Sequence, residues 1–125
     1  MKHKDKHFAG IWIDGHQGII ITNNDGDDYS LAEKITLTDS QSGGSEHAIN
    51  NGKKTEQLKY FKQLSQHLLP FDEILIFGPG QAQEQLQHHL KEDAQFNHKK
   101  ISIDCAERLS DPQMIAKVRD FFQGR

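Results

Sequence analysis

A single cysteine, Cys105, among 125 residues leaves no partner for an internal disulfide and fits a reducing compartment. Long apolar runs are also missing. No stretch approaches the roughly 18 consecutive apolar residues that a bilayer-spanning helix needs, and no apolar run near the N-terminus resembles a secretory leader. A cytosolic location is therefore expected. Positive charge is not in excess either: the formal net charge is -3, so there is no global attraction to nucleic acid, and any RNA contact must use a local patch. Hydrophobic residues make up 34% of the chain, which limits it to a modest core, and the length suits one domain spanning residues 1–125.

The most organised stretch is residues 73–90, EILIFGPGQAQEQLQHHL. Ile74, Leu75, Ile76 and Phe77 form a short continuous apolar run closed by Gly78-Pro79-Gly80, the mark of a strand covered on both faces. Ala82, Leu86 and Leu90 then recur at a spacing of four, predicting a helix with one narrow stripe against the sheet. Upstream, residues 8–14 (FAGIWID) alternate as a strand with Ile11 and Ile13 on one face and Trp12 on the other. Residues 19–22 and 29–37 predict two further strands, separated by the turn-forming cluster NNDGDD. Three strands joined by short polar turns imply an antiparallel meander.

Residues 1–7 read as a flexible basic lead-in, and residues 38–54 (TDSQSGGSEHAINNGKK) as a long polar loop. Helical periodicity resumes at Leu58, Phe61, Leu64 and Leu68, and Pro70 stops it. Residues 101–105 (ISIDC) predict a fifth strand. The last helix carries a stripe of Met114, Ile115, Val118, Phe121 and Phe122; its start is either a Ser110/Gln113 capping box or an Asp111 cap before Pro112. The order βββαβαβα predicts an α/β domain of the ribonuclease H-like three-layer type: a mixed five-stranded sheet with helices on its faces.

Candidate chemistry is sparse. Asp14 stands where ribonuclease H-like nucleases place their first metal-binding carboxylate, with Glu56 and Asp104 as its conceivable partners. One carboxylate does not make a two-metal site, and Asp14 also suits a turn entry that accepts backbone hydrogen bonds. Gly78-Pro79-Gly80 could offer backbone N–H groups to an anion, or could simply be a tight turn where only glycine fits. His3 and His7, and the adjacent His88 and His89, lack the cysteine or carboxylate neighbours of a metal site and read as a solvated tail and a helix end. Cys105 has no activating neighbour and is expected to be a buried, inert thiol. Lys53, Lys54, Lys59 and Lys62 cluster where the polar loop enters the first helix, as a phosphate-contacting patch or a solvated helix face.

FAGIWIDGHQGIIIT, ILIFGPGQAQEQL and the element order resemble the middle domain of archaeal and eukaryotic class-one peptide chain release factors and of Pelota, and the stand-alone bacterial "translational machinery" proteins. In the release factors, the loop between the third strand and the first helix carries a Gly-Gly-Gln tripeptide that helps position the hydrolytic water. Here that loop holds Gly43-Gly44-Ser45, with serine in place of the glutamine, and Gln41 stands two residues too early. Pelota, whose loop also lacks the tripeptide, is the nearer analogue. The resemblance thus implies a non-enzymatic, cofactor-free domain that docks on the ribosome or tRNA through residues 38–54 and the adjoining lysines. The codon-reading and GTPase-contacting domains that flank the middle domain have no counterpart in these 125 residues, so stop-codon reading in the family's manner is not expected. Two alternatives remain: a metal-dependent nuclease using Asp14, and a protein-interaction module, including a homodimer formed through an exposed sheet edge.

Overall fold

The computed structural model describes residues 7–25, 28–37 and 46–123. Strands β1 (Phe8–Ile13), β2 (Gln17–Asp25) and β3 (Asp28–Thr36) come first. Helix α1 (Glu46–Leu68), strand β4 (Glu73–Gly78), helix α2 (Ala82–Lys91), a 3-10 turn (Ala94–Phe96), strand β5 (Lys100–Cys105) and helix α3 (Asp111–Gln123) complete the order. The sheet is five-stranded and mixed, in the order β3-β2-β1-β4-β5. β1 pairs antiparallel with β2 and parallel with β4, β2 pairs antiparallel with β3, and β4 pairs parallel with β5. The mixed five-stranded α/β arrangement expected from the sequence is the one observed.

Two clusters build the core, one on each face of the sheet. Ile11, Ile13, Ile20, Ile74 and Ile76 pack beneath Tyr60, Phe61, Leu64 and Leu68 of α1 and Leu86 and Leu90 of α2. Trp12, Ile19, Ile21, Leu75 and Phe77 pack against Met114, Val118 and Phe122 of α3. β1 and β4 are thus central strands covered on both faces, the reason their sequences run apolar without a polar break. α3 approaches β1 closely at Gly10, where any side chain would collide with Val118. The start of α3 is settled: Ser110 N–H donates to Gln113 Oε1 (3.0 Å) and Gln113 N–H to Ser110 Oγ (3.3 Å), a reciprocal capping box.

Three expectations need correction. Residues 38–54 are not one loop, because α1 begins at Glu46. The sequence of its first turns carries no apolar stripe, and a helix once nucleated extends for one hydrogen bond per residue fixed, a process that leaves no periodic signature. Leu58 is not a core residue: it is 55% exposed, and the buried stripe runs instead through Tyr60, Phe61, Leu64 and Leu68. Cys105 is exposed rather than buried, because it closes β5, the outermost strand on its side of the sheet among the described residues.

Candidate binding surface

At 1.5 Å per residue the 23 residues of α1 extend about 35 Å, while the six residues of β4 span about 20 Å. The helix is therefore longer than β4 by about 15 Å. Its C-terminal end is tied to the core by buried Leu64 and Leu68 and by Phe71 N–H donating to Leu68 O (3.1 Å) just before β4 begins. Tyr60 sits level with the end of β1, its hydroxyl donating to Asp14 O at 3.3 Å. The surplus length consequently lies N-terminal to Tyr60, beyond the C-terminal ends of β1 and β4.

That overhang includes two of the four lysines singled out in the sequence. Lys53 and Lys54 lie on its backbone, and Lys59 and Lys62 are exposed further along α1, one turn apart. Gly43, Gly44 and Ser45 lie outside the described residues. Leu58 is exposed between the lysines, giving the surface an apolar element that sequence reasoning assigned to the core. The signal for it was present: at about 100° per residue, Leu58 falls on the far side of Phe61 from Tyr60 and Leu64, at the margin of the buried stripe. Gln57 Nε2 donates to Gln85 Oε1 at 3.3 Å, linking α1 to α2 at this level.

The Gly78-Pro79-Gly80 turn lies at the same end of the sheet, but its glycines differ. Gly78 is buried where β4 meets β1, and an added Cβ would sit closer than 3.0 Å to the Ile13 carbonyl oxygen. The Gly78 carbonyl accepts from Gln83 Nε2 (2.9 Å) and from Ala106 N (2.8 Å), joining β4, α2 and the exit of β5. A Cβ on Gly80 would meet nothing within 4 Å, so the need for glycine holds at Gly78 alone. Gln83, which sequence reading passed over for Ala82, is 1% exposed and supplies the buried polar link. Glu84 in the first turn of α2 places a negative charge where an anion would have to sit.

Asp14 is committed to a turn. Its Oδ1 accepts from His16 N (2.8 Å) and Gln17 N (2.9 Å), and its own N–H donates to Gln17 O (3.0 Å). Burial, with the Asp14 charge as the lesser cause, pushes the Tyr60 phenol above its ordinary range. Asp104 is held below the usual carboxylate range, chiefly by the hydrogen bond from Lys117 (3.0 Å) and then by Cys105 N–H. Glu56 lies on α1, and no group of three metal-ligating side chains occurs among the described residues. Asp14 and Asp104 therefore belong to no such group among the described residues, and the side chain of Glu56 lies outside them.

Helices on both faces of a mixed sheet, with an overhanging first helix, define a three-layer α/β domain. Solved structures sharing this fold include Pelota from Thermoplasma acidophilum, with 16% identity and a TM-score of 0.59 over 96% of this chain and 32% of that one. Pelota from Archaeoglobus fulgidus matches with 13% identity and a TM-score of 0.62 over 94% and 33% of the two chains. The archaeal translation termination factor aRF1 matches with 14% identity and a TM-score of 0.54 over 90% and 33%. At these identities the likeness is one of fold, and the chain spans about a third of the length of each of these three structures. No family model and no curated protein matches the sequence.

Proposed function

We propose that the chain is a translation-associated binding domain, acting by recognition rather than chemistry, that contacts ribosomal RNA or tRNA through residues 38–54 and Lys53, Lys54, Lys59 and Lys62. The observation that carries this reading is the reach of α1: its backbone at Lys53 and Lys54 runs past the end of β1, and exposed Lys59 and Lys62 continue the line of lysines along the helix. The fold shared with Pelota and aRF1 supports a role in translation, and Pelota is the closer analogue because Ser45 takes the place of the release factors' glutamine. Leu58 adds an apolar contact beside the lysines, of the kind a folded RNA surface or ribosomal protein would cover. Action in the cytoplasm belongs to this reading; no helix among the described residues is long and apolar enough to cross a membrane.

Four phosphate contacts to single-stranded or loop RNA give a log–log salt slope of about -3, so binding should fall by about fiftyfold between 50 and 200 mM salt. Co-sedimentation with ribosomes at low salt tests the proposal. Neutralising the four lysines to glutamine should abolish pelleting and flatten the salt dependence, while deletion of residues 38–45 should weaken it. Pelleting that survives both changes would remove this surface from the mechanism.

A further inference from the structure

β5 is an open edge: β4 flanks it on one side and, among the described residues, no strand flanks the other. Lys100 N–H donates to Asp72 O (3.2 Å) and Ala106 N–H to Gly78 O (2.8 Å), both on the β4 side. Even-numbered residues of this strand therefore turn their backbone groups inward, and Ile101 and Ile103 turn theirs to the open edge. Cys105 N–H, which shares that parity, is already taken by Asp104 Oδ1 at 2.8 Å. Ile103, 37% exposed, is one of the two large hydrophobic side chains left most open among the described residues. The opposite edge, β3, pairs with its neighbour through register shifts of the kind that discourage edge-to-edge association.

We propose that β5 pairs antiparallel with β5 of a second copy of this chain about a two-fold axis at Ser102, joining two sheets into one. The strand is self-complementary in that register alone. Lys100 falls opposite Asp104 of the second copy, Ile101 opposite its Ile103, and Ser102 opposite Ser102. Like faces meet, so the isoleucines cover one another on the α2 side and the opposite charges meet on the α3 side. Ile101 and Ile103 each offer one donor and one acceptor, closing a ladder of four hydrogen bonds across the pair. Shifting the axis by one residue along the strand sets Lys100 opposite Ser102 or Ala106 and loses the charge pair. The pairing is independent of the RNA-contacting surface, which lies on α1.

A ladder this short belongs to the weak, transient class of interface, so the association is read at about 10–500 µM. Sedimentation equilibrium should show the mass rising from 14.3 kDa toward twice that value with concentration. Lys100→Asp, at an exposed position, places like charges opposite one another and should raise the dissociation constant at least tenfold. The register has its own readout. Ser102 is a non-hydrogen-bonded pair with Cα atoms about 4.5 Å apart, within disulfide reach. Ser102→Cys in a Cys105→Ser background should therefore cross-link under mild oxidant, and Ile103→Lys should suppress it. In the same register the two Cys105 residues lie about 20 Å apart, too far to bridge, so the wild-type chain should not cross-link. A mass constant at 14.3 kDa over this range, a dimer indifferent to Lys100→Asp, or cross-linking through Cys105 but not through position 102 would each overturn the proposal.

Discussion

Replacing Gly78 with alanine tests whether the glycine turn serves packing or ligand binding. The new methyl group would collide with the Ile13 carbonyl oxygen, and a second atom, Gln83 Oε1, stands 3.1 Å from it. Backbone cannot rotate aside as a side-chain end can, so β1 and β4 must separate at this end by on the order of an ångström. Overpacking of this kind costs about 1–3 kcal/mol. Weakening one or two backbone hydrogen bonds adds about 1 kcal/mol each. The lower entropy of unfolded alanine returns about 0.4–1 kcal/mol. A net loss of about 2–3 kcal/mol follows, lowering the urea midpoint by about 1–2 M. Gly80→Ala, with open space around it, should stay within about 0.5 kcal/mol of wild type. Equilibrium urea unfolding followed by the fluorescence of buried Trp12 reads both. A Gly78→Ala chain as stable as wild type, or a Gly80→Ala chain equally weakened, would refute the packing argument. Lost ribosome pelleting with stability intact would instead give Gly78 a ligand.

Asp14 offers a similar separation of roles. Asp14→Asn keeps an oxygen to accept from His16 and Gln17 N–H and should leave stability within about 0.5 kcal/mol, whereas Asp14→Ala loses both bonds and should cost about 1–2 kcal/mol in the same urea experiment; equal losses would show that charge, not turn geometry, matters. Tyr60 predicts a pH dependence of definite sign. Its folded-state pKa lies above the ordinary phenol value of 10.0, so its contribution to stability is fully present below about pH 10 and is lost as pH rises through the folded value. Stability should decline above pH 10, and Tyr60→Phe should flatten that decline; an unchanged alkaline slope in the variant would remove Tyr60 as its cause.

Local patterns in the sequence already determined the succession of elements. The doubly buried character of β1 and β4 follows from uninterrupted apolar runs, the start of α3 from Ser110 and Gln113, and the breaks from Pro70 and Gly78. These signals act over a few residues and need no knowledge of what lies beside them. Tertiary structure alone decided what depends on lateral neighbours. Whether Leu58 is buried depends on how α1 is rolled on the sheet, and whether Cys105 is exposed depends on β5 having, among the described residues, β4 as its one neighbour. The reach of α1 is also a relation between two elements: it overhangs because Tyr60, 14 residues into the helix, already stands level with Asp14 at the end of β1. Gln83 was illegible for the same reason, since a polar side chain is stable inside only where a carbonyl such as that of Gly78 is waiting to accept from it.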